Sequence, residues 1–229
     1  VEDEVVITYT PAPVVVAGTD IEACENNTTV ELDGFVDVAT GGIWSGGDGT
    51  FSPTNGQLDA EYTPSAAEVT AGSVMLTLTT TGNGTCFAEE DSVEITFGPA
   101  PTADAGLDQT LCGNNAEAQL LGAVTIAGGG EWTGGTGTYA PSNQSLSPIY
   151  TPSPTEILNG SVTLTLNTTD NGGCLSVTDD VTLTFTDAPT ADAGSDQALC
   201  RNNADITLNG AVTVATGGTW TGGTGTFSP

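Results

Sequence analysis

The stretch GGEWTGGTGTYAP at residues 129–141 decides how the chain is divided, because it occurs three times at a fixed interval. The other copies are GGIWSGGDGTFSP at 41–53 and GGTWTGGTGTFSP at 217–229, and consecutive copies are 88 residues apart. When 99–141 is aligned with 187–229, 30 of 43 residues are identical. An interval kept without insertion or deletion indicates tandem repeats of one structural unit.

Cysteines and tryptophans keep the same interval of 88 residues. The sets are Cys24, Cys112 and Cys200; Cys86 and Cys174; and Trp44, Trp132 and Trp220. Residues 2–11, EDEVVITYTP, align with residues 90–99, EDSVEITFGP, so the chain is predicted to open on the last strand of a preceding repeat. The predicted segments are that strand at 1–10, full repeats at 11–98 and 99–186, and the first half of a further repeat at 187–229.

The charge of the chain is strongly one-sided. It has 29 acidic residues, a single basic residue (Arg201) and no histidine, for a formal net charge of −28 at pH 7. Nucleic acid is excluded as a partner, because binding it requires basic residues that neutralise phosphates. Without His or Lys the chain lacks the usual general bases and acyl-transfer triads, so it is predicted not to be an enzyme. No apolar run is long enough to predict membrane insertion of this segment.

Short alternating runs and frequent turns predict strands. The hydrophobic share is 37% and the charged share only 13%, unlike a disordered acidic tail. About seven short strands in each repeat are typical of an immunoglobulin-like (Ig-like) sandwich. The predicted fold class is therefore all-β, with tandem Ig-like β-sandwiches in an extended array. In the second repeat the predicted elements are strands at 101–112, 116–125, 145–152, 161–169 and 179–186, and a hairpin over 131–141 with glycines at its bend.

One short helical turn is predicted in each full repeat. SPTE at 153–156 has the pattern of a capping box, with Ser153 as N-cap, Pro154 at the first helical position and Glu156 reaching back. SAAE at 65–68 has the same pattern in the first repeat.

The glycine-rich stretch is interpreted as structural. A phosphate-binding loop needs glycines that lead into a helix, commonly with a lysine, whereas here proline follows and lysine is absent. Trp44, Trp132 and Trp220 are interpreted as the core tryptophans of Ig-like sandwiches. The alternative is that these rings are exposed and stack on sugars.

Acidic residues near the predicted repeat junctions are candidates for a calcium site. They are Asp104, Asp108, Asp192 and Asp196. Oxygen ligands at a joint would suit Ca²⁺ and would stiffen the array. No EF-hand-like spacing is present, and the alternative is that these acids are solvated surface groups.

Several motifs resemble the tandem Ig-like and PKD-like repeats of giant surface adhesins of Bacteroidetes, of which the SprB-type gliding-motility adhesins are the best-known members. The motifs are PTADAGLDQTLC and PTADAGSDQALC, with GTWTGGTGTFSP and SVTLTLNTTDNGGC. The resemblance covers the whole chain. It implies type IX secretion, anchoring at the outer membrane and a place in a long filament that contacts surfaces. DSV at 91–93 also matches the O-glycosylation pattern of that phylum, with Ser92 as the candidate acceptor; Asp180 replaces it in the second repeat.

The cysteines allow two pairing schemes. An exported, repeat-rich chain favours disulfides, and the obvious pairs within repeats are Cys24 with Cys86 and Cys112 with Cys174. In an Ig-like sandwich, however, Cys112 would lie at the bottom of its repeat and Cys174 at the top, about 20 Å away. A disulfide needs Cα atoms within about 7 Å. Because the bottom of one repeat faces the top of the next, the preferred pair is Cys24 with Cys174, and Cys86, Cys112 and Cys200 then pair with cysteines outside this chain. Both schemes remain open at this point.

The predicted function is that of a structural stalk segment in a long extracellular filamentous adhesin, for surface attachment or gliding motility. Its predicted partners are neighbouring repeats of the same chain, and a surface or glycan ligand at an unseen tip. One alternative is a glycan-binding repeat module that acts by avidity. Another is a self-assembling sheath or surface-layer protein, which the self-repulsion of so acidic a chain disfavours.

Overall fold

The structure is a computed structural model that describes residues 2–228, so the predicted segment ends at residues 1 and 229 lie outside the described residues. Its contacts divide the chain into two compact units. The first unit contains the residues up to Ala103 together with Val124–Gly130 and Asn167–Thr178. The second contains Asp104–Ala123, Glu131–Leu166 and the residues from Asp179 onward. Two segments of the second predicted repeat, each made of a loop and the adjoining ends of its strands, therefore belong to the first unit.

The first sandwich is built from nine short strands and one short helix. They are β1 (Val14–Val16), β2 (Ile21–Cys24), β3 (Val30–Glu31), β4 (Phe35–Asp37), β5 (Gly41–Ser45), β6 (Thr50–Ser52), β7 (Glu61–Thr63), α1 (Ala66–Ala71), β8 (Ser73–Thr81) and β9 (Glu90–Gly98).

These strands have the order of an immunoglobulin sandwich. One sheet has the order β2-β9-β8-β5 and the other β3-β7-β6, while β1 pairs with β4. Strand β2 runs parallel to β9, with Cys24 opposite Gly98, and the other pairs of the first sheet are antiparallel. In an Ig-like fold the third, sixth and last strands likewise share one sheet, and the second, fourth and fifth share the other. The predicted all-β, Ig-like class is confirmed.

The second sandwich repeats this order. Its sheets are β11-β18-β17-β14 and β12-β16-β15, and β10 pairs with β13. A final antiparallel pair, β19 with β20, follows. The elements are β10 (Thr102–Asp104), β11 (Gln109–Cys112), β12 (Ala118–Gln119), β13 (Ala123–Thr125), β14 (Gly129–Thr133), β15 (Thr138–Ala140), β16 (Ile149–Thr151), α2 (Pro154–Asn159), β17 (Ser161–Thr169), β18 (Thr178–Thr186), β19 (Thr190–Asp192) and β20 (Ala211–Thr213).

A tryptophan lies at the centre of each complete sandwich. Trp44 and Trp132 have 0% of their surface exposed. Each indole Nε1 donates a hydrogen bond at 3.3 Å to a leucine carbonyl, that of Leu58 and that of Leu146 respectively. Burial removes both rings from contact with any sugar.

Trp220 differs from the other two tryptophans, because its side chain is 40% exposed in this chain. Its place in the core of a further repeat stays a prediction. In the first sandwich the corresponding ring packs in a cluster that includes Leu58 and Leu78. The aligned positions for these two leucines would fall beyond residue 229, so the described residues offer no such cover for Trp220.

The predicted hairpin over 131–141 is wrong, because its two strands lie in different sheets. Strand β14 pairs with β17 in the four-stranded sheet, whereas β15 pairs with β16 in the three-stranded sheet. The glycines between them carry the chain from one sheet to the other. Gly134 and Gly135 have φ of 91° and 68°, a region that glycine enters without steric cost. A Cβ on Gly135 would also collide with the hydroxyl of Tyr150.

The carboxylate of Glu156 joins this glycine stretch to helix α2. Its Oε1 accepts hydrogen bonds from the Thr136 amide at 2.6 Å and the Tyr150 hydroxyl at 2.8 Å. Its Oε2 accepts from the Ser153 amide at 2.7 Å, and the Ser153 hydroxyl accepts from the Glu156 amide. The predicted capping box is therefore confirmed, and it holds the sheet crossing as well as the helix.

These contacts keep the glutamate ionised. Burial by itself would raise the pKa of Glu156, but the two backbone amides and the tyrosine hydroxyl outweigh it and hold the pKa below its ordinary value of 4.5. The same arrangement lowers the pKa of Glu68 in the first repeat. There, burial and the hydrogen bond to Glu68 raise the pKa of Tyr62 to about 12. A lowered carboxyl pKa stabilises the fold above the pKa of the unfolded chain, and this stabilisation is lost as pH falls through the folded-state pKa.

Glu156→Gln is expected to lower the free energy of unfolding by about 2 kcal/mol at pH 7, because a charged acceptor of three hydrogen bonds becomes neutral. The difference from the unchanged protein should shrink as pH falls through the lowered pKa of Glu156, below 4.5. Denaturant unfolding between pH 7 and pH 3 measures both effects. Glu117→Gln, which changes an exposed carboxylate of the same repeat, is the control, with an expected change within about 0.5 kcal/mol. If both variants lose the same free energy of unfolding at pH 7, the Glu156 carboxylate does not stabilise the fold as described.

Candidate functional site

The four candidate calcium ligands are not brought together. The carboxylates of Asp104 and Asp192 accept hydrogen bonds from the amides two residues further on, at 2.9 and 2.8 Å. That of Asp108 accepts from the Thr182 amide at 2.8 Å, and Asp196 is exposed. Within residues 2–228 no group of three or more potential ligands is close enough to hold a metal ion. Three of the four acids thus serve as acceptors for backbone amides, which is a structural role.

The feature that stands out is a disulfide between the two repeats. Cys24, the last residue of β2, is bonded to Cys174 in the turn between β17 and β18, with the Cα atoms 5.1 Å apart. The preferred pair is therefore the one formed, and the alternative scheme, which joins Cys24 to Cys86 and Cys112 to Cys174, is wrong for this chain. Both bonded cysteines lie in the first compact unit. We call this bond and its surroundings the joint.

Cys24 is positioned by the end of the parallel strand pair. It lies opposite Gly98, and the Glu25 amide continues the pairing with a 2.9 Å hydrogen bond to the Gly98 carbonyl. The Asn27 amide then donates to the Cys24 carbonyl at 2.8 Å and closes a tight turn. The turn leaves the Cys24 Sγ 3.7 Å from the Pro99 carbonyl oxygen, at the point where the chain leaves the first sandwich.

Two asparagines hold the partner loop on both sides of Cys174. The Asn26 amide group donates to the Leu175 carbonyl at 3.0 Å, and its oxygen accepts from the Leu175 amide at 3.1 Å. The Asn27 side chain donates to the Gly173 carbonyl at 2.8 Å. All three contacts are made to backbone atoms, so they recognise the path of the loop and not its side chains. The disulfide is therefore the centre of a docked contact and not an isolated bridge.

The asparagines of the joint were not singled out from the sequence, although a signal exists. The pair NN begins two positions after the first cysteine of each repeat, at 26–27, 114–115 and 202–203. Asparagine is common in turns for local reasons, so the pair by itself indicates a turn. Only the folded chain brings it against a loop about 150 residues away.

The Cys24 side of the joint recurs at Cys112, although Cys112 forms no disulfide in this chain. The Gly113 amide donates to the Thr186 carbonyl at 2.8 Å, and the Asn115 amide donates to the Cys112 carbonyl at 2.8 Å. The Cys112 Sγ lies 3.8 Å from the carbonyl oxygen of Asp187, the residue aligned with Pro99. The same turn geometry thus forms where the cysteine is free.

The Cys174 side of the joint recurs at Cys86, which is also free. In the bonded loop the Cys174 amide donates to the Asn171 carbonyl at 3.1 Å, and in the free loop the Cys86 amide donates to the Asn83 carbonyl at 3.0 Å. The Cys86 Sγ lies 3.6 Å from the carbonyl oxygen of Pro11, as the Cys174 Sγ lies 4.0 Å from that of Pro99. The local backbone geometry on each side of the joint is therefore set by the repeat itself, since it also forms where the cysteine is free.

Ser92, the candidate glycosylation acceptor, is exposed on β9, and its hydroxyl lies 3.0 Å from that of Thr77. Its neighbour Asp91 accepts a hydrogen bond from the Ala17 amide at 2.8 Å. Modification of Ser92 stays a prediction. Among the described residues no helix is long and apolar enough to span a membrane.

Neither a protein-family model nor a curated protein matches the chain. Solved structures do match at low identity. The insect immune protein hemolin shares 12% identity over 78% of this chain and 48% of its own, with a TM-score of 0.41. Immunoglobulin domains 1–5 of Sidekick-1 share 14% over 80% and 41%, with a TM-score of 0.39. An I-band fragment of titin shares 8% over 79% and 68%, with a TM-score of 0.40. The chain thus spans about half the length of the hemolin chain that it matches.

Proposed function

We propose that the chain is a structural stalk segment of a long extracellular filamentous adhesin, made of tandem Ig-like repeats at 11–98 and 99–186 that are locked to each other covalently. The joint carries this proposal. Cys24 and Cys174 belong to successive repeats, and Asn26 and Asn27 hold the same loop that the disulfide holds. A contact of this kind fixes one repeat against the next, which is what a stalk requires.

Recurrence of the joint extends the proposal along a filament. The turn at Cys112 and the loop at Cys86 have the geometry of the two bonded halves. Bonded in the same way to repeats beyond this chain, they would lock every joint of an array. The chain would then have no ligand-binding task of its own, and binding would be the task of a tip elsewhere in the adhesin.

The proposed location is the cell surface. Disulfides form and persist in oxidising compartments, above all outside the cell. The motif resemblance to SprB-type adhesins supports the finer proposal of type IX secretion, anchoring at the outer membrane, and a role in surface attachment or gliding motility. The net charge of −28 keeps neighbouring filaments apart through repulsion, which disfavours a sheath. Burial of Trp44 and Trp132 disfavours a glycan-binding module, since rings with 0% exposure offer no stacking surface.

Immunogold electron microscopy of intact cells that carry the full-length adhesin tests the proposal. An antibody raised against this chain is expected to label filaments that project from the surface, and cells without the protein are expected to attach to surfaces less well. Label confined to the cell interior would overturn the proposal. A continuous labelled layer over the envelope would favour a sheath, and micromolar or tighter binding of this chain on a glycan array would favour a glycan-binding module.

A further inference from the structure

We propose that the Cys24–Cys174 disulfide limits how far the chain extends under load, because it removes most of both sandwiches from the path of tension. The proposal rests on the proposed stalk function, since a stalk is pulled along its chain. The two cysteines are 150 residues apart in sequence and are joined directly. Tension that reaches either cysteine passes through the bond between them. The residues between them form a closed loop, which can unfold without being stretched.

The covalent routes differ greatly in length. The route from residue 11 to residue 187 through the disulfide contains only residues 11–24 and 174–187, 14 residues each, and spans about 90 Å when fully extended. The backbone route that ignores the disulfide contains roughly 176 residues and would span about 600 Å. Unfolding of either sandwich therefore cannot lengthen the span from residue 11 to residue 187 beyond about 90 Å while the disulfide is intact.

The segments that bear the load already contain extended strands. Strand β2 ends at Cys24 and pairs along its length with β9. Strand β18, which follows Cys174, pairs with β11, from Gln109 opposite Leu183 to Cys112 opposite Thr186. A β-strand rises about 3.3 Å per residue, close to the limit of about 3.3–3.6 Å for a fully extended chain. These strands consequently have little length to release when they are pulled.

In an array with every joint closed, two backbone segments of each repeat would connect one joint to the next and carry the tension. We call these segments tracks. In the first repeat they are residues 11–24 and 86–98, and about 60 residues between Cys24 and Cys86 would lie outside both tracks. The strands within these tracks are β1, β2 and β9. Strands β2 and β9 are parallel neighbours in one sheet, whereas β1 pairs with β4 of the segment outside the tracks. Tension pulls β2 and β9 in the same direction and does not slide one along the other. The load would thus fall on this parallel pair and on the short strand β1, and the rest of the sandwich would be shielded.

Single-molecule force spectroscopy on the 229-residue chain, held by its two ends, tests this inference. Without reductant, the fully extended length is expected to be shorter than in reductant by about 150 residues, or ~500 Å. Cys24→Ser with Cys174→Ser should give the longer length in both buffers. Cys86→Ser with Cys112→Ser, the matched control, should keep the difference of ~500 Å.

Two outcomes would overturn the inference. One is release of the full backbone length without reductant. The other is a pair of separate reductant-sensitive steps of about 62 residues each, ~210 Å, which would mean that each repeat closes its own loop. Neither outcome would decide the stalk role, which the labelling of surface filaments on cells tests separately.

Discussion

Removal of the joint disulfide by Cys24→Ser with Cys174→Ser is expected to lower the free energy of global unfolding by about 4 kcal/mol. The bond closes a loop with a sequence separation of 150 residues. Chain entropy alone assigns about 5 kcal/mol to a loop of that size, and measured losses are commonly somewhat smaller. Denaturant unfolding without reductant, followed by tryptophan fluorescence, measures the change.

The matched control for this prediction is Cys86→Ser with Cys112→Ser. These cysteines occupy the equivalent places in the repeat but are free in this chain, so the expected change is within about 1 kcal/mol. Reductant should bring the unchanged protein to the stability of the first variant and leave that variant unaffected. If both double variants lose the same stability, the bond is not a support of the fold.

Trp132→Ala is expected to cost the second sandwich about 3–5 kcal/mol, the usual loss when a fully buried aromatic side chain is deleted. The ring is 0% exposed and its Nε1 is bonded to the Leu146 carbonyl. Truncation therefore leaves a cavity and removes one of the two hydrogen bonds that the Leu146 carbonyl accepts, the other coming from the Gly122 amide. Chemical denaturation at pH 7, with the intact first sandwich as an internal reference, measures the loss.

Trp220→Ala is the control for the tryptophan prediction. Its ring comes from the same motif but is 40% exposed, so the expected loss is about 1 kcal/mol or less. A loss of that size for Trp132→Ala as well would mean that its ring is exposed in solution. Stacking on sugars would then return as the better interpretation.

Local patterns were enough to predict the fold class. Alternating strands such as SVTLTLNTT, at 161–169, and the capping box at Ser153 depend on neighbours within a few residues, and the structure has both. Burial of Trp44 and Trp132 was predicted from the strand on which they lie. Trp220 shares that local pattern and is exposed all the same, because burial requires residues from distant strands as well.

The path of the glycine stretch could not be predicted from its own residues. Gly134 and Gly135 permit positive φ, which serves a hairpin and a crossing between sheets equally well. Which of the two forms depends on the pairing of β14 with β17 and of β15 with β16. The Glu156 contact that holds the crossing likewise joins residues from three separate elements.

The sequence by itself determined the 88-residue repeat, the sandwich class, the acidity of the surface and the two available schemes of cysteine pairing. Only the tertiary structure decided that Cys24 meets Cys174 and that Asn26 and Asn27 hold the loop around that bond. The physical reason is distance along the chain. A strand or a cap forms among residues that are already neighbours, whereas a disulfide forms between whichever cysteines the completed fold brings to about 5–6 Å between Cα atoms.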